Sequence, residues 1–213
     1  MAKRRKPLVE PSDPWAPALD HLRALDEKWR SKIDRIGPCR LTARPDRFGT
    51  LVRAIIGQQI SSKAARAIDR KLREIGGEPH EPRRLMELGV EGLRGVGLST
   101  MKARYVLNLA EAIETGAAPI DRVHEWEDAE IIKNLTSIKG IGPWTVEMFL
   151  IFCLNRPDVL SAGDLGIRMA LKNHYELDEL PTPRLCRELT EPARPYRTIA
   201  MWYLWEEFDG PNS

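Results

Sequence analysis

Two glycines stand two apart in the stretch LTSIKGIGPWTVEMFLIF, residues 135–152. Gly140 and Gly142 flank Ile141, and Pro143 follows directly. Glycine admits positive φ and carries no Cβ to keep a neighbour away. A helix that starts at Pro143 leaves its first N–H groups unpaired and pointing outward. Those donors and the helix dipole suit an anion. Pro143 removes one donor but is well placed at a helix start. Lys139 adds charge beside the turn, and Thr145 adds a hydroxyl. The chemistry on offer is phosphate binding through backbone N–H groups. The plainer alternative is a helical hairpin whose glycines only permit close packing.

The elements that must hold this turn are helical. Leu19, Leu22, Leu25, Trp29, Ile33 and Ile36 recur at three- and four-residue steps, which predicts one helix from after Pro14 to Gly37. Phe48, Leu51, Val52 and Ile55 form the next stripe, stopping near Gly57. A serine cap opens SSKAARAIDRKL, with Ala64, Ala65, Ile68 and Leu72 on one face. A short helix carries Leu85, Leu88 and Leu93, and Thr100 is the expected cap of MKARYVLNLAEAI, closed by Gly116. Ile132 and Leu135 share a face before the glycine turn, and an amphipathic helix is expected after it. Asp164 and Thr182 open two further helices, and RPYRTIAMWYLWEEF forms the last. No alternating strand pattern occurs, so the fold class is all-α. The segment 93–110, LRGVGLSTMKARYVLNLA, loosely repeats the glycine–apolar–glycine turn and helix.

Composition narrows the function classes. The chain has 213 residues, with 42% hydrophobic and 30% charged residues, as in ordinary soluble proteins. No apolar run approaches the ~20 residues of a membrane span, and MAKRRKP lacks the apolar core of a signal peptide. Net charge is only +2. Lys3, Arg4, Arg5 and Lys6 form a basic tail, either a solvated end or a steering device toward a polyanion. Three dispersed cysteines, Cys39, Cys153 and Cys186, make no CxxC pair. That argues against a disulfide framework, structural zinc or a cysteine-ligated cluster, and fits a reducing cytoplasm.

The turn of residues 135–149 looks like a helix-hairpin-helix element, which grips a nucleic-acid phosphate without reading sequence. Taken with LVRAIIGQQISSKAA (51–65) and LSAGDLGIRMAL (160–171), in this order and spacing, the chain resembles the helix-hairpin-helix DNA glycosylase superfamily (HhH-GPD). Within it the likeness is to the 3-methyladenine DNA glycosylase II (AlkA-type) branch, over roughly residues 15–207. The resemblance implies two helical lobes with a base-binding cleft between them, in a short form without the N-terminal β-domain. One lobe would span residues 47–156 and carry the hairpin. The other would combine 15–46 with 157–213 and carry the catalytic acid, behind a basic flexible tail at 1–14.

In that family the catalytic aspartate lies some twenty residues beyond the hairpin, which points to Asp164. Cleaving an N-glycosidic bond builds positive charge on the deoxyribose, and a carboxylate near C1′ stabilises it or orients the attacking water. Asp after Gly at a helix start is also a routine N-cap, and the two roles can coexist. Asp158 is the nearest rival carboxylate. Relatives that also cut the strand use a lysine just after the hairpin glycines, where this chain has Trp144. The resemblance therefore implies a monofunctional glycosylase that leaves an abasic site.

The target base must leave the stack. The resemblance places the residue that fills the gap among Gln58, Gln59, Ile60 and Ser61; AlkA-type enzymes use an apolar wedge where Gln59 stands, and these polar residues can also simply cap the next helix. Cationic alkylpurines favour aromatic walls. Trp144 and Trp205 match aromatic pocket positions, Trp202 adjoins them, and Met148 and Leu165 stand where the relatives have tyrosines. Trp202 and Tyr203 read equally as core. Lys139, Gly140, Gly142 and Thr145 are the expected phosphate contacts. The implied partner is double-stranded DNA containing alkylated bases (3-methyladenine, 7-methylguanine), bound by a monomer. Uracil, mismatched thymine or an oxidised purine are alternative lesions, and a non-catalytic damaged-DNA binder is the alternative class. No organic cofactor and no iron–sulfur cluster are implied; hairpins of this type hold a sodium or potassium ion through backbone carbonyls.

Overall fold

The computed structural model describes residues 13–209. The basic residues Lys3, Arg4, Arg5 and Lys6 lie outside them. Every regular element among the described residues is helical. In chain order these are α1 (Ala16–Leu25), α2 (Glu27–Ile36), α3 (Arg47–Gly57), α4 (Ser62–Gly76), α5 (Pro82–Gly95) and α6 (Thr100–Glu114). Then follow α7 (Asp128–Thr136), α8 (Pro143–Phe152), α9 (Leu165–Tyr175), α10 (Pro183–Thr190) and α11 (Arg197–Asp209), with 3-10 turns at Ile120–Glu125 and Glu191–Ala193. None of these helices is long and apolar enough to cross a membrane.

The first predicted helix is two. Asp26 adopts extended geometry and its carboxylate accepts from Trp29 N at 2.8 Å, so it caps a new helix inside the stripe. The stripe survives the break because Leu19, Leu22, Trp29 and Ile33 are all buried. In α5, Gly89 at φ 62° kinks the chain between buried Leu85 and Leu93. The cap of α6 is Ser99, one residue before Thr100, with its hydroxyl accepting from Lys102 N. In α7 the inward residues are Ile131 and Leu135; Ile132 is exposed.

The largest departure is α8. It is not amphipathic: Thr145, Val146, Met148, Phe149, Leu150 and Ile151 are all buried. A helix that is apolar on every side is a central one, and α8 packs against α3 and α7. Helix α11 is buried likewise from Thr198 to Leu204 and packs on α9, α2 and α1. Helices α3 to α8 pack chiefly among themselves, as do α1, α2, α9, α10 and α11, and the buried side chains form one continuous cluster. The segment from Cys153 to Asp164 links α8 to α9. Thr198 ties it down by accepting from Val159 N and donating to Arg156 O.

Candidate active site

Three elements converge on Asp164. It is the N-cap of α9, and its Oδ1 accepts from Ile167 N at 2.8 Å. Its Oδ2 accepts from Trp144 Nε1, on the first turn of α8, at 2.7 Å. Trp205 Nε1, from α11, reaches Oδ1 at a longer 3.4 Å. The capping role and the indole contacts therefore act together: the backbone N–H fixes one oxygen, and Trp144 fixes the other. A carboxylate held this way has few rotamers left. Gly166 leaves room for the arrangement, since a Cβ there would sit 3.1 Å from Asp164 Oδ1 and 3.6 Å from Trp205 Nε1.

Asp158 has a different occupation. It accepts from Arg197 Nε at 2.7 Å and Nη2 at 3.0 Å, and pairs with Arg194 Nε at 3.1 Å. Both its oxygens are spent on holding the start of α11.

The aromatic candidates separate. Trp144 and Trp205 are half-buried and touch the carboxylate, and Trp205 stacks on Phe152 at 5.8 Å. Trp202 and Met148 are each 7% exposed and belong to the core cluster. Trp202 packs edge-on against Tyr203, whose hydroxyl donates to Gly37 O at 2.7 Å and closes α2. Leu165 is 58% exposed beside Asp164.

The glycine turn has the geometry that only its sequence allows. Gly140 sits at φ +106°, and a Cβ there would lie 2.1 Å from the Tyr105 ring. Gly142 is the N-cap of α8 at φ −100°, with open space around it. The N–H groups of Gly140, Gly142 and Thr145 meet no acceptor among the described residues. Lys139 is exposed. The Thr145 hydroxyl does not face outward as expected: Thr145 is 1% exposed, and Gln58 Nε2 donates to both Thr145 Oγ1 and Gly140 O at 3.0 Å.

That contact divides the loop after α3. Gln58 is a strut to the hairpin. Ser61 caps α4 by accepting from Ala64 N. Gln59, in left-handed geometry at φ 56°, and Ile60, 38% exposed, are the two left to project. Lys139 O and Gly140 O accept from Asn108 Nδ2 and Gln58 Nε2. These carbonyl oxygens are the groups that would hold a monovalent cation, whose part would be to hold the turn. Among the described residues no three His, Cys, Asp or Glu side chains gather as a metal site.

One carboxylate at this site escaped sequence reading. Glu147 is the single charged residue of α8. Burial pushes its carboxyl above the usual range, and the charge of Asp164 pushes it further. The signal was present: a lone acid one turn after Trp144 in an otherwise apolar helix.

Comparison with known proteins fits this geometry. The family model of the HhH-GPD superfamily base excision DNA repair proteins matches residues 52–195. This chain belongs to that superfamily. It is 38% identical to DNA-3-methyladenine glycosylase 1 of Schizosaccharomyces pombe, over 87% of this chain and 84% of that protein. It is 34% identical to the Alkylbase DNA glycosidase-like protein mag2 of the same organism, over 89% and 92%. Among solved structures, the S. pombe 3-methyladenine DNA glycosylase (Mag1) in complex with abasic DNA superposes with a TM-score of 0.85 at 35% identity. The match covers 92% of this chain and 98% of that one. A DNA-3-methyladenine glycosidase from Bacillus halodurans superposes at 0.73 with 35% identity, covering 90% and 88%.

Proposed function

We propose that this HhH-GPD protein is a monofunctional DNA glycosylase that hydrolyses the N-glycosidic bond of alkylated purines, acting as a monomer on duplex DNA. The observation that carries the reading is the Asp164 carboxylate, pinned by Trp144 Nε1 and Ile167 N beside the glycine turn. The N–H groups of Gly140, Gly142 and Thr145 take a DNA phosphate, with Lys139 adding charge. Gln59 and Ile60 enter the space the base vacates. The flipped base lies against Trp144 and Trp205, with Leu165 at the rim. DNA spans the face where α8, of one helix group, meets α9 and α11 of the other.

The chemistry follows from charge. A 3-alkyladenine or 7-alkylguanine is cationic and leaves as a neutral base. As the C1′–N bond breaks, the electron pair stays with the base and the positive charge passes to the sugar. The fixed Asp164 carboxylate stabilises that charge and directs water to C1′; the proton lost from the water passes to the carboxylate or to solvent. Trp144 offers no amine, so no imine forms with the sugar and the backbone stays intact.

The test uses methylated duplex DNA. Wild type should release 3-methyladenine and 7-methylguanine and leave strands that break only after alkali. Asp164→Asn should release neither while still binding abasic DNA, because asparagine also caps a helix and keeps α9 in place. Release from uracil-containing DNA but not methylated DNA would reject the alkylpurine assignment. Strand breaks without alkali would reject the monofunctional one.

A further inference from the structure

Glu147 has no part in the scheme above, yet its surroundings tie it to Asp164. Ser161 Oγ and Glu147 Oε2 lie 2.6 Å apart, with the hydroxyl donating to the carboxylate. Ser161 is fully buried, and its carbonyl accepts from Asp164 N at 3.1 Å. One residue thus joins the two acids: its side chain is held by Glu147, and its backbone holds Asp164. The charged groups facing Glu147 are Asp164, from the turn before α9, and Arg187, from α10; α8 contributes no other charge.

We propose that Glu147 is a positioning residue for the glycosylase reaction, which fixes Asp164 through Ser161 and places a second negative charge beside the developing sugar cation. This rests on the proposed function. A carboxylate in an apolar helix costs desolvation, and packing gives no return for it. The return here is the hydrogen bond that closes the Ser161–Asp164 turn and a field that favours positive charge at C1′. Burial and Asp164 raise the Glu147 carboxyl, while the Ser161 hydrogen bond and Arg187 oppose the rise.

The experiment is single-turnover release of 7-methylguanine from methylated duplex DNA at pH 8 with saturating protein, beside affinity for abasic DNA and the melting temperature. Wild type, Glu147→Gln, Ser161→Ala and Asp164→Asn are compared, each below its melting temperature. Glutamine keeps the size and the hydrogen bond to Ser161 but never carries charge. Glu147→Gln should release base about tenfold more slowly, while its affinity for abasic DNA and its melting temperature stay close to wild type. Ser161→Ala should also be slower, because the link from Glu147 to the Asp164 turn is cut. A Glu147→Gln enzyme as fast as wild type overturns the inference, and so does one whose slower release is matched by weaker binding to abasic DNA; so does a Ser161→Ala enzyme as fast as wild type. If wild type releases base and Asp164→Asn does not, such a result rejects the role of Glu147 alone. If wild type releases nothing, the proposed function falls and this role falls with it.

Discussion

The carboxylate of Asp164 is defined by its donors. Trp144 Nε1 is the shorter indole contact, 2.7 Å against 3.4 Å for Trp205. Hydrogen bonds to charged groups contribute roughly 1.5–3 kcal/mol. Trp144→Phe keeps an aromatic ring at this position but frees one oxygen of Asp164. It should slow base release about tenfold or more and leave the melting temperature within a few degrees; single-turnover rates and thermal denaturation check both halves. The family resemblance singled out Asp164, and the Gly163–Asp164 helix start gave its capping role, which the structure shows. The indole hydrogen bond was not, because spacing along the chain says nothing about which way a side chain turns once α8 and α9 pack. Thr145 shows the same limit from the other side. Its place after the glycines suggested an outward hydroxyl, whereas one turn of α8 buries it under Gln58.

At the scale of elements, the hairpin depends on two glycines for different reasons. Gly140 is at φ +106° with the Tyr105 ring where a Cβ would stand. Gly142 has ordinary φ and open space. Gly140→Ala should therefore cost about 2 kcal/mol or more, from left-handed strain and displacement of the ring. Gly142→Ala should cost much less in urea denaturation but weaken DNA binding if the turn meets a phosphate as proposed, because a methyl group would then stand in its way. Equal destabilisation by the two would contradict this division. The hairpin was readable because glycine pairs carry a conformational signal of their own. The all-round burial of α8 was not: periodicity distinguishes one face from another, and a helix with both faces inside blurs that contrast. The break at Asp26 was missed because the apolar stripe continues across it, and a cap inside a periodic run is visible only as one more polar residue.

For the whole molecule, pH should act on stability through one buried histidine. His174 on α9 is buried against Trp29, with ring centres 4.4 Å apart. Burial lowers its pKa to about 4, and the charges of Lys32 and Lys28 assist while Asp26 opposes. The folded protein thus takes up the His174 proton later than the unfolded chain, whose histidine titrates near the usual ~6.5. Stability should fall as pH drops from about 6.5 toward 4 and be whole above that window. His174→Gln should reduce the loss of urea midpoint between pH 7 and pH 5 relative to wild type; an unchanged loss would argue against the buried neutral histidine. DNA affinity should fall as salt rises, and Lys139→Ala should reduce the slope of log K against log salt by about one if Lys139 meets a phosphate. The central claim is that Asp164, held at the junction of α8, α9 and α11, drives base release. The direct measurement is the single-turnover rate of 3-methyladenine release by wild type and Asp164→Asn, each at protein concentrations that saturate the DNA. The account predicts rapid release by wild type and a loss of at least a hundredfold in the variant, with equal affinity for abasic DNA. Release by Asp164→Asn at the wild-type rate would contradict it.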